Sequence, residues 1–370
     1  MKNILKRIIG ALVFLSIVIS ILMYAGIIGR PYLQGSYKYD IWQYFYQEDK
    51  NTHNVINIGS SAIYRYWAPL QAYEEQGITS FTLGSTMQPF NTVPYIMEEA
   101  LKTQNPDLFV VEVRSLLNER IYELQNSEDG SPDKRSWVLG VIASGMNYSP
   151  TRYKLIHENY VDTEGDCELF WHIPVLKYHS LEYKLPLSLR LKRIFPSKDP
   201  LKSTYLIGEI EKIEEVKVEK ELYGEYYLTE KEKSKLDHVV KTARDSGVEI
   251  LLVSTPYILD KEHASMHKSL DDYIAEKNYP YIDFNDYKDK IGLNSETDYY
   301  NALHTNVVGA KKFTEYFAKF LADNYEFDNV SLTEKQVKEW DACIENWAQK
   351  YEILIGQWER NREKTNESEN

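Results

Sequence analysis

Val55-Ile-Asn-Ile-Gly59-Ser-Ser61 is a short apolar run that stops on a glycine and two serines. Val55–Ile58 reads as a strand, and apolarity at most positions is what a strand shows when both faces are covered, as in a parallel sheet. Working outward, Trp67–Glu75 reads as a helix broken by Gly77, and Ile78–Leu83 as a second strand. Thr92–Thr103 reads as a helix ended by Asn105-Pro106, because proline disfavours helix at the residue before it. Leu108–Val113 is a third strand. The alternation resumes with a charged amphipathic helix over Thr229–Ser246, closed by Gly247, then a strand over Val248–Val253. A helix over Lys261–Lys277, a strand over Tyr279–Phe284 and a helix over Val307–Asn324 follow, the last with Phe313, Tyr316, Phe317 and Phe320 at core-facing spacing. Strands and helices in this order predict an α/β fold with a doubly wound parallel sheet, a flavodoxin-like three-layer sandwich built from residues 31–115 and 229–330.

Residues 116–228 do not keep the alternation and read as an insertion or cap. Ser331-Leu-Thr-Glu334 carries a capping-box pattern for a long last helix over 331–361. In it Val337, Trp340, Ile344, Trp347, Tyr351, Leu354 and Trp358 form an apolar stripe, which either packs back on the domain or meets a partner helix. Residues 362–370 are polar and read as a disordered tail.

At the other end, Lys2, Lys6 and Arg7 precede an uncharged run from Ile8 to Gly29. About 22 residues of helix span roughly 33 Å, enough for the hydrocarbon core of a bilayer. Residues 1–30 therefore read as a membrane anchor, with the membrane itself as a partner through residues 8–29. Basic residues before the run predict a cytoplasmic amino terminus and an extracytoplasmic main domain. The formal charge of −13 speaks against nucleic acid or anionic lipid as a partner of the main body, since both need a basic face. Cys167 and Cys343 are far apart in sequence, and spacing alone decides neither a disulfide nor free thiols. No Cys/His cluster has metal-ligand spacing, and His263 and His267 share a helix face without a third ligand near them in sequence, so neither metal nor cofactor is expected.

Chemistry is concentrated in two places. Ser61 stands directly after the first strand, where ligands bind in open α/β sheets. Gly59 allows a sharp turn there, and nearby amides can stabilise an oxyanion. The second place is Asp298-Tyr-Tyr-Asn301-Ala-Leu-His304-Thr-Asn306-Val-Val-Gly309. A histidine in a loop before the last core helix can act as general base toward an early strand-end serine. His172 and His179 read as packing residues of an aromatic stretch. The abundant tyrosines and Trp67 read as core, or as ring surfaces of a sugar-binding cleft.

On these residues the chain resembles the SGNH (GDSL-like) hydrolases, in particular their membrane-anchored Gram-positive bacterial members. The family's first block, Gly-x-Ser, is matched by Gly59-Ser60-Ser61, and its last block, Asp-x-x-His-x-Asn-x-x-Gly, by His304-Thr-Asn306-Val-Val-Gly309. Leu83-Gly84-Ser-Thr-Met87-Gln-Pro89 resembles the second block, and Phe109–Arg114 takes the place of the third. The resemblance implies Ser61 as nucleophile and His304 as base, with oxyanion or binding roles near Gly84, Met87 and Arg114.

Three positions depart from the pattern. Asn301 stands at the family's aspartate, and Asp298 is the other candidate for that role. Met87 falls where the family has a glycine. Arg114 stands nearest the missing third-block asparagine, either to meet an anion or to pair with a carboxylate. The implied function is an extracytoplasmic serine esterase or acyltransferase acting on an acylated cell-envelope carbohydrate. The alternative is a catalytically inactive fold that binds envelope polysaccharide or a membrane partner.

Overall fold

Five parallel strands build the sheet: β1 (Val55–Gly59), β2 (Ser80–Gly84), β3 (Leu108–Glu112), β4 (Glu249–Ser254) and β5 (Tyr281–Asp283), in the order β2-β1-β3-β4-β5. The computed structural model describes residues 2–29, 40–117, 139, 142–143, 145–160, 167–178, 186–213, 227–258 and 261–368. Every residue of β1, β2 and β3 is buried, as their apolar composition requires. Val55, Leu108, Val110, Leu251 and Val253 join one core cluster with Trp67, Phe313 and Phe317. Ile56, Ile58, Phe109, Val111 and Leu252 between them are buried too, which by strand alternation puts them on the opposite face. An α/β architecture with both sheet faces covered is thus observed, compatible with a three-layer sandwich. In this strand order the connections leave β1 and β3 in opposite directions, so the crevice at their carboxyl ends is the natural ligand position.

The helices follow from local signals. The predicted helix over Trp67–Glu75 is α2 (Pro69–Gln76), starting two residues later than expected, and a short helix not expected from the sequence, α1 (Ser61–Tyr64), precedes it. Pro69 starts α2 and holds Ala68 extended, at φ −112° and ψ 95°, which separates the two. α3 (Val93–Ala100) likewise starts on a proline turn. α4 (Glu230–Ser246) opens on a capping box between Thr229 and Glu232 and ends at Gly247 in the left-handed region, φ 74°. α5 (Lys261–Lys277) and α6 (Val307–Asn324) have the bounds that the sequence predicts.

α7 (Glu334–Ser368) differs from expectation at both ends. Its capping box is Thr333 with Gln336 rather than Ser331 with Glu334: Gln336 Oε1 accepts from the Thr333 amide at 2.8 Å, and Thr333 Oγ1 accepts from the Gln336 amide. Both quartets fit the pattern, and the tertiary bond from Gln336 Nε2 to Asp49 Oδ2 favours the later one. The helix also continues through the segment expected to be a disordered tail. Trp358 Nε1 donates to the Thr297 carbonyl at 2.9 Å, Asn361 Nδ2 to the Gly208 carbonyl at 3.2 Å, and the Arg, Glu and Lys residues that follow favour helix. The apolar stripe packs back on its own domain: Trp340, Cys343, Trp347 and Leu354 are buried against Ala68, Leu70, Leu206, Val307 and Ala310. Cys343 is a buried free thiol.

Chain contacts define two compact units: Met1–Gln47 with Asp133–Ser197, and Glu48–Pro132 with Lys198–Asn370. The second holds the sheet. The last part of the stretch without alternation belongs to it: Ser203 Oγ accepts the Thr82 amide at 2.7 Å, and the Ile207 carbonyl accepts the Val307 amide at 2.7 Å. The first unit contains the N-terminal helix Lys2–Gly29 and short helices over Pro150–Asn159, Glu168–His172, Pro174–Tyr178 and Leu187–Ile194. Asn3–Gly26 is long and apolar enough to cross a membrane.

Candidate active site

Ser61 begins α1 immediately beyond the end of β1. The Ser60 hydroxyl caps the turn by accepting the Ala62 amide at 3.3 Å. Two threonines from distant parts of the chain hold this turn: Thr255 Oγ1 donates to the Ala62 carbonyl at 2.9 Å and Thr305 Oγ1 to the Arg65 carbonyl at 3.1 Å.

His304 reaches Ser61 from a small antiparallel hairpin, β6 (Tyr299–Asn301) with β7 (His304–Thr305). Its two-residue turn pairs Asn301 with His304, so the two side chains are neighbours by register. His304 Nε2 lies 2.7 Å from Ser61 Oγ, and His304 Nδ1 lies 2.9 Å from Asn301 Oδ1. Asn301 Oδ1 also accepts the Leu303 amide at 3.0 Å, which orients the carboxamide with its oxygen toward the ring. An acceptor on that side matches the tautomer protonated at Nδ1, which presents Nε2 to the serine hydroxyl as a general base needs. The Tyr300 ring stacks on the imidazole, with centroids 5.4 Å apart and planes 16° apart.

The rest of the His304–Gly309 motif has structural work. Asn306 caps α6, accepting the Val308 and Gly309 amides, while its Nδ2 donates to the Thr297 and Tyr299 carbonyls. The hairpin is thereby fastened to the first turn of the helix. A Cβ at Gly309 would overlap the Asp298 carbonyl and press on Thr305. Gly309→Ala therefore costs about 1–3 kcal/mol of stability by overpacking, readable as a lower midpoint in urea unfolding. A midpoint equal to that of the parent refutes this close approach.

Asp298 is not at the histidine. Fully buried, it accepts from the Asn294 amide at 2.9 Å, Lys312 Nζ at 2.7 Å and Thr297 Oγ1 at 2.9 Å. Between the two candidates for the third position, the geometry brings Asn301 to His304 and gives Asp298 a different task.

Arg114 has the second of the two roles foreseen for it. It is 3% exposed, its Nε lies 3.2 Å from Glu112 Oε1, and its Nη1 donates to the Leu303 carbonyl at 2.9 Å. Tyr66 donates to the same carbonyl at 3.0 Å, and the Tyr257 ring lies under the guanidinium at 4.3 Å. Arg114 thus braces the turn that carries His304. Burial pushes the Glu112 carboxyl up to about 6, with Arg114 pulling partly against it. Glu112 binds its proton more tightly in the folded state, so its contribution to stability is present below the ordinary carboxylate range and is lost as pH rises through about 6. Breaking a buried pair from one side costs about 3–5 kcal/mol. Arg114→Met is therefore more destabilised at pH 8 than at pH 5, where Glu112 protonates, and equal urea midpoints at the two pH values would refute the pairing.

Met87 has φ 52°, a left-handed conformation that favours glycine, at the place where the resembled family has one. Gly84 ends β2, and a Cβ there would press on the Gly59 carbonyl and the Tyr64 ring at 3.1 Å each, so its role here is close packing of the two strand ends. Trp67 is fully buried with Nε1 donating to Ser80 Oγ at 2.9 Å, which makes it core and not a cleft wall.

Arg65 was not anticipated. Its guanidinium is 4.4 Å from the Tyr205 ring centroid, 5.3 Å from Tyr300 and 5.4 Å from Tyr64, so a cation framed by tyrosines adjoins the ring stacked on His304. Its position four residues after Ser61, one helical turn on, was the available signal. His267 does meet two further ligand-type groups: ligand atoms of His267, Asp271 and Asp283 lie within 4.8 Å of one another. His267 Nε2 is 2.8 Å from the Tyr257 hydroxyl and Nδ1 is 3.4 Å from Asp283 Oδ2. Although burial works the other way, His267 holds the Asp283 carboxyl below its usual range. This pairing ties α5 to the end of β5. The side chain of His263 and all of His179 lie outside the described residues. His172 packs as expected, stacked on Tyr153 and bonded to Glu168.

No known family profile matches the chain, and no curated protein matches it.

Proposed function

We propose that the protein is a serine esterase or acyltransferase of SGNH type, with Ser61 as nucleophile, His304 as base and Asn301 as the group that orients the base. The observation that carries this reading is the Ser61 Oγ–His304 Nε2–Nδ1–Asn301 Oδ1 array, at 2.7 and 2.9 Å, assembled from residues more than two hundred positions apart. Ser61 Oγ attacks the ester carbonyl while its proton passes to Nε2. The imidazolium then returns that proton to the departing alcohol, leaving an acyl-Ser61. Water or a sugar hydroxyl, deprotonated by His304, takes the acyl group and regenerates the serine. Amides at Ser61 and in the Met87 turn are the proposed oxyanion donors.

The substrate class follows from the anchor. A helix that crosses the membrane with Lys2, Lys6 and Arg7 inside keeps the catalytic unit beside the outer envelope polymers. Tyr205 and Tyr300, both partly exposed, provide ring surfaces near the dyad on which a sugar can stack. An acylated envelope carbohydrate satisfies both.

A fluorophosphonate probe tests the proposal. It labels the full chain on Ser61 and leaves Ser61→Ala and His304→Ala unlabelled. An unlabelled parent overturns the enzyme reading and favours the second one, an inactive fold that binds envelope polysaccharide. That second reading is motivated by an amide at Asn301, which orients an imidazole without neutralising its positive charge. It requires Tyr300→Ala to abolish glycan binding while Ser61→Ala leaves binding unchanged.

A further inference from the structure

The helix Leu187–Ile194 belongs to the same compact unit as the N-terminal helix. At 100° per residue, Leu187, Leu191 and Ile194 fall along one side, and Phe195 follows directly as the residue that ends the helix. They are 71, 46, 36 and 74% exposed, an unusual concentration of bare large apolar side chains. Arg190 and Lys192 are exposed at the two edges of that stripe. The other side of the helix is fastened down. Arg193 is 2% exposed, with Nε 3.0 Å from Asp40 Oδ1 and Nη1 donating to the Ile28 carbonyl at 2.9 Å. Gln43 Nε2 donates to the Arg193 carbonyl at 2.9 Å. Ile28 lies in the last turn of the N-terminal helix, just past the apolar span Asn3–Gly26. The same end is packed closely on a neighbouring short helix, since a Cβ at Gly26 would meet the Val175 amide nitrogen at 2.7 Å.

We infer that Leu187–Phe195 is a membrane-surface element: it lies in the bilayer interface beside the point where the N-terminal helix leaves the membrane. Leu187, Leu191, Ile194 and Phe195 enter the acyl boundary, and Arg190 and Lys192 sit at the level of the lipid phosphates. A short helix with an apolar stripe flanked by basic residues has the chemistry of an interfacial helix. The bond from Arg193 to Ile28 fixes its depth, because it ties the stripe to the terminal turn of a helix whose preceding residues are in hydrocarbon. Anionic headgroups repel a chain of net charge −13, and basic residues at the point of contact, here Arg190 and Lys192, offset that repulsion locally. The consequence is that this unit is seated on the bilayer through two contacts rather than swinging on one helix. The inference rests on the N-terminal helix being membrane-spanning and is independent of the catalytic reading.

The test uses the full chain in phosphatidylglycerol/phosphatidylcholine vesicles. Cys343 is buried and is left in place, Cys167 is replaced by serine, and a nitroxide is attached at Phe195→Cys. Ile17→Cys, in the anchor, and Lys241→Cys, on the exposed side of α4, are the lipid and water references. The expected result is an oxygen-to-nickel-chelate accessibility ratio at position 195 several-fold above that at 241, at a depth shallower than position 17. A nickel accessibility equal to that at 241 overturns the proposal. So does shielding from both oxygen and nickel, which would mean that protein, a second copy or a partner, covers the stripe. A water-exposed reading at position 17 overturns it as well, by removing the anchor on which it rests.

Discussion

Ser61→Ala lowers ester turnover by a factor on the order of 10⁶, and His304→Ala lowers it about as far, because a nucleophile and its base act as one unit. The double variant is no worse than either single one. Without the hydroxyl, His304 has no proton to take; without the imidazole, the Ser61 hydroxyl is too weak a nucleophile to attack. What survives in all three is the catalysis due to binding and oxyanion donors alone. Steady-state rates on a short-chain aryl ester, with a thermal unfolding scan to show that each variant is folded, measure this. Neither substitution disturbs the core, since Ser61 and His304 are both only partly buried. Rates that multiply, with the double variant far below the singles, would show that the 2.7 Å contact is not a catalytic one.

Asn301→Asp accelerates the reaction. In a serine hydrolase whose triad carries aspartate, changing it to asparagine costs about 10⁴ in rate, so the reverse change has up to that range available. Asn301 Oδ1 already receives the His304 Nδ1 proton at 2.9 Å and the Leu303 amide at 3.0 Å, so a carboxylate fits the same two donors without rebuilding the hairpin. Its charge stabilises the imidazolium that forms as Ser61 attacks. Asn301→Ala goes the other way, because the ring loses the contact that selects its tautomer. Asp298→Asn leaves the acylation rate of the folded enzyme near that of the parent and lowers stability instead, through the Lys312 pair and the Asn294 amide. Burst-phase acylation kinetics separate these outcomes. A steep fall in acylation for folded Asp298→Asn, with Asn301→Asp unchanged, would return the third position to Asp298.

Strand identity, the parallel sheet and the approximate helices were legible because they are local or periodic. A continuous apolar run such as Leu108–Val111 needs covering on both faces whatever surrounds it, and Pro69, Gly77 and Gly247 act through their own backbone preferences. The pair Ser61 and His304 was legible from its placement, one residue set at a strand end and the other before the last core helix. Local pattern therefore carried the α/β class and the apolar N-terminal helix, and placement along the chain carried the expectation that Ser61 and His304 meet, as they do at 2.7 Å. Packing of the whole chain then assigned the ambiguous polar residues. Asn301 and Asp298 are both close to His304 in sequence, and the choice between them is made by the register of a two-residue hairpin turn together with Lys312 from the following helix. Arg114 became a brace because, beside its near neighbour Glu112, the Tyr66 ring and the Leu303 carbonyl converge on it from distant segments. The two capping quartets before the last helix were equivalent until Asp49, almost three hundred residues away, bonded to Gln336. The physical reason is the same in each case: a buried polar group takes whatever partner the packed chain delivers, and that partner is set by long-range contacts that no local pattern encodes.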